Sequence, residues 1–284
     1  MPDPSAVAVF ADLHEESREL DDLVGELAVA DWARPTPAPG WSLAHQIAHL
    51  HWTDRAALLA LTDATAFAGL VEEAVKAPDT FVDAGAEEGA ALAPAELLAR
   101  WRAGRAALDG ALAEASPGAK FPWYGPPMKA ASMASARLME TWAHGQDVAD
   151  ALGVRRVPTD RLRHVARIGV RARDYAYAVR GLAAPAEQFR IELTAPGPTA
   201  PGPTASDPTA PGPTGSAEVW AYGPEDATQR VTGPALDFCL LVTQRAHRAD
   251  LALTADGPDA GRWLDIAQAF AGPAGPGRAP GTSR

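Results

Sequence analysis

The sequence predicts an α+β protein of two domains, a four-helix bundle followed by a small domain in which helices and strands mix. Before residue 153, four segments repeat apolar residues at three- and four-residue spacing, the period of a helix that buries one face. Strand-like segments bounded by turn residues come after that point. A chain of 284 residues is long enough for two separate cores. We therefore expect a bundle over 1–153, an α+β domain over 154–272 and a flexible tail over 273–284.

The first two helices are separated by a proline-rich turn. Asp3 and Pro4 form a helix start, and the apolar positions that follow are Val7, Phe10, Leu13, Leu20, Leu23, Val24 and Leu27. The stretch 34–40 carries three prolines, which lack the backbone donor that a helix needs. Ser42 is the candidate N-cap of a second helix that we expect over about 43–61.

The other two helices of the bundle follow a long connection. Residues 62–92 are rich in Ala, Gly, Asp and Glu with little periodicity, which predicts a loop with at most a short helix, the natural place for a lid. Pro94 begins the third helix, which stops at 116–118. After a turn-rich aromatic segment over 121–127, the fourth helix should run over about 128–152 and end at Gly153.

The second domain alternates short segments of both kinds. We expect helices over 159–179, 235–247 and 261–270, and strands over 189–194, 218–222, 230–232 and 250–254. Between the first two strands, the segment 195–216 is rich in Pro, Gly and Thr, and Thr-Ala-Pro-Gly-Pro occurs three times in this region. Because proline cannot join a strand ladder at that density, we interpret this segment as an extended, solvated loop.

Charge and composition exclude several classes of function. A formal net charge of -11 argues against a nucleic-acid partner, which requires a basic face. No apolar run approaches the roughly 18 to 20 residues that span a bilayer, and the start lacks the basic and apolar regions of a signal peptide. We therefore expect a cytoplasmic protein, a monomer or a homodimer, with no membrane partner. The single cysteine, Cys239, rules out an internal disulfide and lies in the apolar run 236–242, which predicts a buried structural thiol.

Two pairs of residues at helical spacing carry the chemistry. Glu140 and His144 lie four apart on the fourth helix, and His45 and His49 lie four apart on the second. Two facing helices can offer nitrogen and oxygen ligands of the kind that zinc accepts, and three protein ligands leave the open position of a catalytic site. Spacing alone leaves alternatives open, because a Glu and a His at this spacing also form simple hydrogen bonds. It does not distinguish His45 from His49.

Two stretches resemble the signatures of the mycothiol-dependent maleylpyruvate isomerase relatives in the DinB/YfiT-like superfamily. In 39–50, a Gly-Trp-Ser turn leads into a helix whose histidine precedes a leucine, and 136–150 contains the Glu-x-x-x-His pattern. The resemblance implies a DinB-like bundle with His49, Glu140 and His144 as metal ligands, and leaves His45 outside the ligand set.

The resemblance continues into the second half of the chain. The segment 231–245 is similar to the sterol-carrier-like C-terminal domain found in these proteins, and 263–272 resembles an actinobacterial branch known only as metal-binding proteins.

Several neighbours of the three implied ligands are candidates for supporting roles. Asp147 is placed to accept the other ring N–H of His144 or to form a salt bridge on the helix face. Trp123 and Tyr124 either wall the mouth of the pocket or serve packing. The arginines near the predicted domain junction are candidates for clamping a substrate carboxylate, with solvated surface charge as the alternative: Arg171, Arg173 and Arg180.

The resemblance implies a metal- and mycothiol-dependent isomerase or thiol transferase that acts on a small electrophilic, carboxylated molecule. A divalent ion, expected to be Zn²⁺, deprotonates a bound thiol at neutral pH, so the protein needs no cysteine of its own. Metal-hydroxide chemistry, either hydrolysis or lyase action, uses the same open position. A non-enzymatic protein that binds a metal or a small apolar ligand is the alternative from another class.

Overall fold

The computed structural model describes residues 4–197, 218–272, 274–275 and 277–282. The chain divides into two compact units, Met1–Arg155 and Arg156–Arg284. Three predicted features lie wholly or partly outside the described residues: Asp3 of the first helix start, most of the Pro/Gly/Thr-rich segment 195–216, and part of the tail. No helix in the described ranges combines the length and the apolar character needed to cross a membrane.

The first unit is a helical bundle, as predicted. Its described residues form six α-helices: α1 (Pro4–Val24), α2 (Leu43–Thr62), α3 (Ala64–Lys76), α4 (Phe81–Ala90), α5 (Pro94–Glu114) and α6 (Ala130–Leu152). A 3-10 helix covers Val29–Ala33, and two short antiparallel strands, β1 (Lys120–Phe121) and β2 (Met128–Lys129), lie between α5 and α6. The four predicted helices correspond to α1, α2, α5 and α6. Gly153 ends α6 in the left-handed conformation, with a φ of 71°.

The expectation of a long connection over 62–92 is wrong, because this stretch forms α3 and α4. Asp63 caps α3 by accepting a hydrogen bond from the backbone N–H of Ala66 at 3.0 Å. Phe67 of α3 and Ala86 of α4 are buried. Alanine-rich sequence favours helix on intrinsic propensity, but small residues give little contrast between a buried and an exposed face. In α3, however, Phe67, Leu70 and Val71 recur at helical spacing, so this helix was overlooked although its sequence carried the signal.

Helix α2 occupies the centre of the bundle, in contact with α3, α4, α5 and α6. Its buried leucine and isoleucine side chains pack with Leu97 and Trp101 of α5. A hairpin-like turn leads into it, where Pro35 bridges to Ser42 and Gly40 takes a φ of +79°. The core thus places α2 so that one face is apolar and the other is available to a site shared with α6.

Two glycines allow α4 to lie close against α2. A Cβ added to Gly85 would stand 2.7 Å from the ring of Trp52, and one added to Gly89 would stand 2.7 Å from the Cβ of Ala48. Both distances are shorter than packed carbon atoms tolerate. Because Gly85 and Gly89 are four residues apart, they lie on one face of α4, and this face contacts the helix that carries the predicted ligand His49.

The second unit is a small α+β domain. It contains α7 (Leu162–Arg171), α8 (Arg173–Ala178), β3 (Arg190–Thr194), β4 (Val219–Tyr222), β5 (Arg230–Pro234), α9 (Ala235–Val242), β6 (Thr254–Asp256) and α10 (Pro258–Ile266), with a 3-10 helix over Arg248–Asp250. The sheet order is β4-β3-β5-β6; β3 and β5 are parallel, and the other pairs are antiparallel. Its core includes Tyr177, Phe238 and Trp263, all fully buried.

Several element boundaries in this unit differ from the sequence prediction. The helix expected over 261–270 begins and ends earlier, as α10 over Pro258–Ile266. The helix expected over 159–179 is broken at Ala172 into α7 and α8. The helix expected over 235–247 ends at Val242, because Gln244 takes a φ of 59° and the N–H of Arg245 returns to the carbonyl of Leu240 at 2.8 Å. The strand expected over 250–254 begins later, because the 3-10 turn ends at Asp250, residues 251–253 form an irregular connection, and β6 covers Thr254–Asp256.

The close packing of α4 on α2 predicts opposite effects for two Gly→Ala substitutions. In an exposed helix, alanine in place of glycine stabilises by about 0.5–1 kcal/mol. We expect that gain for Gly110→Ala in α5, where no described heavy atom lies within 4 Å of the new Cβ. Gly89→Ala should instead lower the free energy of unfolding by about 1–3 kcal/mol through overpacking. Urea denaturation followed by circular dichroism measures both, and equal stabilisation by the two variants would contradict the packing.

Candidate metal centre

The two predicted helices bring His49, Glu140 and His144 together. One potential ligand atom from each lies within 4.8 Å of the others. The Oε2 atom of Glu140 is 3.4 Å from Nε2 of His49 and 3.3 Å from Nε2 of His144. His49 is 7% exposed, and its Nδ1 has no hydrogen-bond partner among the described residues. Both histidines therefore face the carboxylate with the same ring nitrogen, Nε2.

The second ring nitrogen of His144 contacts a glutamine that the sequence analysis did not single out. Gln46 Oε1 lies 2.6 Å from Nδ1 of His144, and the Gln46 side chain is fully buried. Asp147, for which the sequence left open either this contact or a salt bridge on the helix face, is also buried on α6. The sequence did contain a signal for Gln46, because it precedes His49 by three residues and therefore lies on the same face of α2.

The carboxyl group of Glu140 is held in its ionised form. Burial by itself raises its pKa, but hydrogen bonds with His144 and His49 and the nearby charge of Arg137 outweigh this effect. The pKa of Glu140 is therefore well below its usual range. An NH2 atom of Arg137 lies 3.8 Å from Glu140 Oε2. At neutral pH the centre thus presents a negative oxygen beside two imidazoles, a donor set suited to a cation.

A cluster of buried charges lies behind Glu140. Asp54 is 1% exposed and forms an ion pair with Arg105 at 2.9 Å, while Arg137 Nε lies 3.9 Å from its other oxygen. Arg105 also donates to the hydroxyl of Thr141 at 2.8 Å. Arg137 therefore stands between two carboxylates, those of Asp54 and Glu140. This arrangement ties the centre to charges from α2, α5 and α6.

Tryptophan rings border the two histidines. Trp41 stacks on His144 with ring centroids 5.9 Å apart and an angle of 21° between the planes. Its centroid is 5.2 Å from that of His49, and Trp52 lies 6.2 Å from His49 on another side. The Trp41 indole donates to Asp83 of α4 at 3.2 Å. Apolar rings at these positions limit the access of water to the imidazoles.

The structure places Trp123 and Tyr124, the predicted pocket-mouth residues, in an aromatic cluster with α3 and α4. Phe67 stacks on Trp123 at 5.7 Å and meets Tyr124 edge-on at 5.2 Å. Phe81 links Tyr124 at 6.0 Å to Trp52 at 4.8 Å. Burial, with a smaller effect from Glu73, raises the pKa of Tyr124 to about 12, so its phenol is a neutral donor at neutral pH. The two residues thus connect through Phe81 and Trp52 to the ring of His49.

His45 has a separate structural role at the start of α2. Its Nδ1 accepts the backbone N–H of Ser42 at 3.2 Å, completing a capping box, and its Nε2 lies 2.8 Å from Glu87 of α4. Because Nδ1 accepts, Nε2 carries the proton and donates to Glu87. Both nitrogens are therefore engaged outside the group of His49, Glu140 and His144.

Arg180, the candidate for binding a carboxylate, belongs to the second unit. It donates to the carbonyl of Ala176 at 3.2 Å and lines a cavity of about 660 Å³ together with Arg248. Arg173 donates to the backbone carbonyl of Glu187 at 2.6 Å, a bond that stabilises the local backbone. Arg173 does not line this cavity.

The buried charge cluster predicts a large stability effect at Asp54. Removing one partner of a buried ion pair leaves an uncompensated charge, so Asp54→Ala should lower the free energy of unfolding by about 3–5 kcal/mol. Asp22→Ala is the matched control, because Asp22 pairs with Arg18 at 3.0 Å on the surface, where such pairs contribute up to about 1 kcal/mol. Denaturant titrations of the metal-free proteins make the comparison. Equal losses in the two variants would refute the buried pair as a major contributor.

Comparison with known proteins agrees with the architecture. The family model described as "Mycothiol maleylpyruvate isomerase N-terminal domain" matches residues 13–149, and one described as "Wyosine base formation" matches 212–256. The crystal structures of the mycothiol-dependent maleylpyruvate isomerase and of its histidine-to-alanine mutant each align with a TM-score of 0.56 at 15% identity. Each alignment covers 89% of this chain and 95% of the isomerase chain. At this identity the likeness shows a shared fold.

Two proteins of Mycobacterium tuberculosis are similar along the whole chain. "Uncharacterized protein Rv0036c" of strain H37Rv and "Uncharacterized protein MT0041" of strain CDC 1551 are each 54% identical over 278 residues. These alignments cover 98% of this chain and all of each relative. The resemblance expected from the two signature stretches is confirmed. Residues 13–149 belong to the family of the mycothiol maleylpyruvate isomerase N-terminal domain, and the chain as a whole belongs to one family with these two mycobacterial proteins.

Proposed function

We propose that this protein binds one Zn²⁺ ion through His49, Glu140 and His144 and acts with a low-molecular-weight thiol such as mycothiol. The reaction is the isomerisation of a small electrophilic, carboxylated molecule, or transfer of the thiol to it. The convergence of three ligand atoms within 4.8 Å carries this proposal. The family supports it, since its N-terminal domain model is that of mycothiol maleylpyruvate isomerase.

The residues present fit a zinc ion. Two imidazole nitrogens and one carboxylate oxygen are a donor set that zinc accepts in catalytic sites at roughly 2.0–2.2 Å. The depressed pKa of Glu140 keeps the oxygen ligand ionised. Three protein ligands leave one coordination position for a molecule from solution, which is typical of a catalytic rather than a structural zinc.

A thiol nucleophile has to come from outside the chain. Cys239 is the only cysteine, it is fully buried, and burial raises the pKa of its thiol, so it has little thiolate character. A bound divalent cation supplies the positive charge that keeps an external thiol deprotonated at neutral pH. This combination supports a thiol co-substrate over a cysteine nucleophile of the protein.

The aromatic side chains have defined roles in this proposal. Trp41 and Trp52 border His49 at 5.2 and 6.2 Å and exclude water from the reacting thiol. Tyr124 keeps its proton and can donate a hydrogen bond to a substrate carbonyl or carboxylate. Trp123 supports Tyr124 through ring contact at 5.2 Å.

Metal analysis tests the ligand assignment directly. We expect the protein purified without chelators to contain about one equivalent of zinc and each of His49→Ala, Glu140→Ala and His144→Ala to lose it, because each removes one of three ligands. His45→Ala is the control, since both His45 nitrogens serve the start of α2 and Glu87, and it should keep its metal. Elemental analysis by inductively coupled plasma mass spectrometry gives the stoichiometry. Full metal content in all three ligand variants would end the proposal.

Cobalt substitution tests the thiol. In the Co²⁺-loaded protein, adding mycothiol should produce a thiolate-to-cobalt charge-transfer band in the near ultraviolet, and Cys239→Ala should show the same band, because Cys239 is buried. Maleylpyruvate, the substrate named for the isomerase of similar fold, is the first molecule to assay for turnover. Turnover without any thiol would favour metal-hydroxide chemistry instead, and the absence of both band and turnover would favour a protein that only binds metal.

A further inference from the structure

We propose that Gln46 and Thr36 act as positioning residues that set the tautomer of His144, so that its Nε2 lone pair is available to the metal. The idea deepens the proposed function and rests on the metal site described there. It concerns a relay of three hydrogen bonds, from His144 through Gln46 and Thr36 to the backbone carbonyl of Trp41. Gln46 and Thr36 are not among the three implied metal ligands.

The direction of the relay follows from its last member. The carbonyl of Trp41 can only accept, so the Thr36 hydroxyl, at 2.8 Å, donates its single proton to it. The Thr36 oxygen must then accept from its other partner, Gln46, at 2.9 Å. That contact therefore involves the amide NH₂ of Gln46. The amide oxygen consequently faces Nδ1 of His144, at 2.6 Å.

This orientation determines which nitrogen of His144 carries the proton. The Gln46 oxygen is an acceptor, so Nδ1 of His144 is the donor in this bond. In the metal-free centre Nε2 lies 3.3 Å from Glu140 Oε2 as its hydrogen-bond partner. When a metal ion displaces that bond, a neutral His144 that keeps its proton on Nδ1 offers the Nε2 lone pair as the ligand. A metal ligand needs this form, in which the second ring nitrogen donates to a fixed acceptor.

The relay counters a competing arrangement. If the proton moved to Nε2, His144 could donate it to the ionised carboxylate of Glu140, and the nitrogen would no longer be a ligand. Gln46 opposes that state, because Nδ1 would become an acceptor facing the amide oxygen. Gln46 is fully buried, so water does not replace the lost bond. Rotation of the amide, which would present NH₂ to Nδ1, would break the bond to Thr36.

The turn before α2 holds the relay in place. The backbone N–H of Thr36 donates to the Trp41 carbonyl at 2.8 Å, the same oxygen that accepts the Thr36 hydroxyl. The bridge between Pro35 and Ser42 closes this turn. The indole of Trp41 then stacks on the imidazole whose proton the relay positions. The turn over 36–41 thus orients His144 in two ways: the Trp41 ring stacks on the face of the imidazole, and the hydrogen bonds through Thr36 and Gln46 hold its Nδ1 atom.

Zinc affinity measured by competition with a chromophoric chelator tests the relay. Gln46→Leu removes the hydrogen-bond acceptor for Nδ1 of His144. Thr36→Val changes a residue that does not bond to His144, but it removes the acceptor for the Gln46 NH₂ group, so the Gln46 amide is free to rotate. Both should weaken zinc binding by about 10–100-fold, the usual effect of losing such a partner. Thr36→Ser keeps the hydroxyl and should bind within about threefold of wild type, well under that loss. Ser17→Ala is the control, because it removes a buried hydrogen bond to Leu13 in α1.

The outcomes separate this inference from the proposed function. Weakened binding in Gln46→Leu and Thr36→Val, with wild-type binding in Thr36→Ser and Ser17→Ala, supports the relay. Wild-type affinity in Gln46→Leu and Thr36→Val overturns it and leaves the zinc site intact. Equal weakening in Ser17→Ala also overturns it, since a general loss of packing would then explain the result. A wild-type protein that binds no zinc overturns both proposals. Thermal unfolding of each metal-free variant verifies that it is folded.

Discussion

The ionised carboxylate of Glu140, held between two imidazoles in a largely buried position, is the constraint on which the rest of the first unit depends. A buried negative charge is costly unless positive charge and hydrogen bonds compensate it. Arg137 supplies positive charge at 3.8 Å, and its own burial requires Asp54, which in turn pairs with Arg105. The centre is therefore the end of a charge network that runs through the bundle.

Helix α2 shows how residues of one type take different roles according to their neighbours. Three of its histidines lie within seven residues. His45 caps the helix, His49 faces Glu140, and His51 is half-buried with a lowered pKa, caused first by desolvation and then by the charge of Arg55. Spacing could not separate the first two, because both project from neighbouring turns. Their chemistry was decided by what α4 and α6 present to them, Glu87 to one and Glu140 to the other.

Apolar periodicity located the long helices α1, α2, α5 and α6 of the first unit. In α3, Phe67, Leu70 and Val71 also recur at helical spacing, but the many Ala, Gly, Asp and Glu residues around them led to the prediction of a loop. The grouping of His49, Glu140 and His144 was predicted from the family resemblance. Gln46 was not predicted, although its spacing of three residues from His49 places it on the same face of α2, and its role became clear only from the direction of its hydrogen bonds. The end of α9 was missed because Gln244 occupies a left-handed position where glycine is usual.

The burial of Cys239 bears on how this protein would respond to oxidants. Peroxides and electrophiles attack accessible thiolates, and the single cysteine of this chain is fully enclosed with a raised pKa. Oxidative stress would therefore consume the dissolved thiol pool while leaving the polypeptide's own sulfhydryl intact. Under the proposed chemistry, the damaged component is a replaceable small molecule, so catalytic capacity would recover as soon as that pool is reduced again, without new protein synthesis.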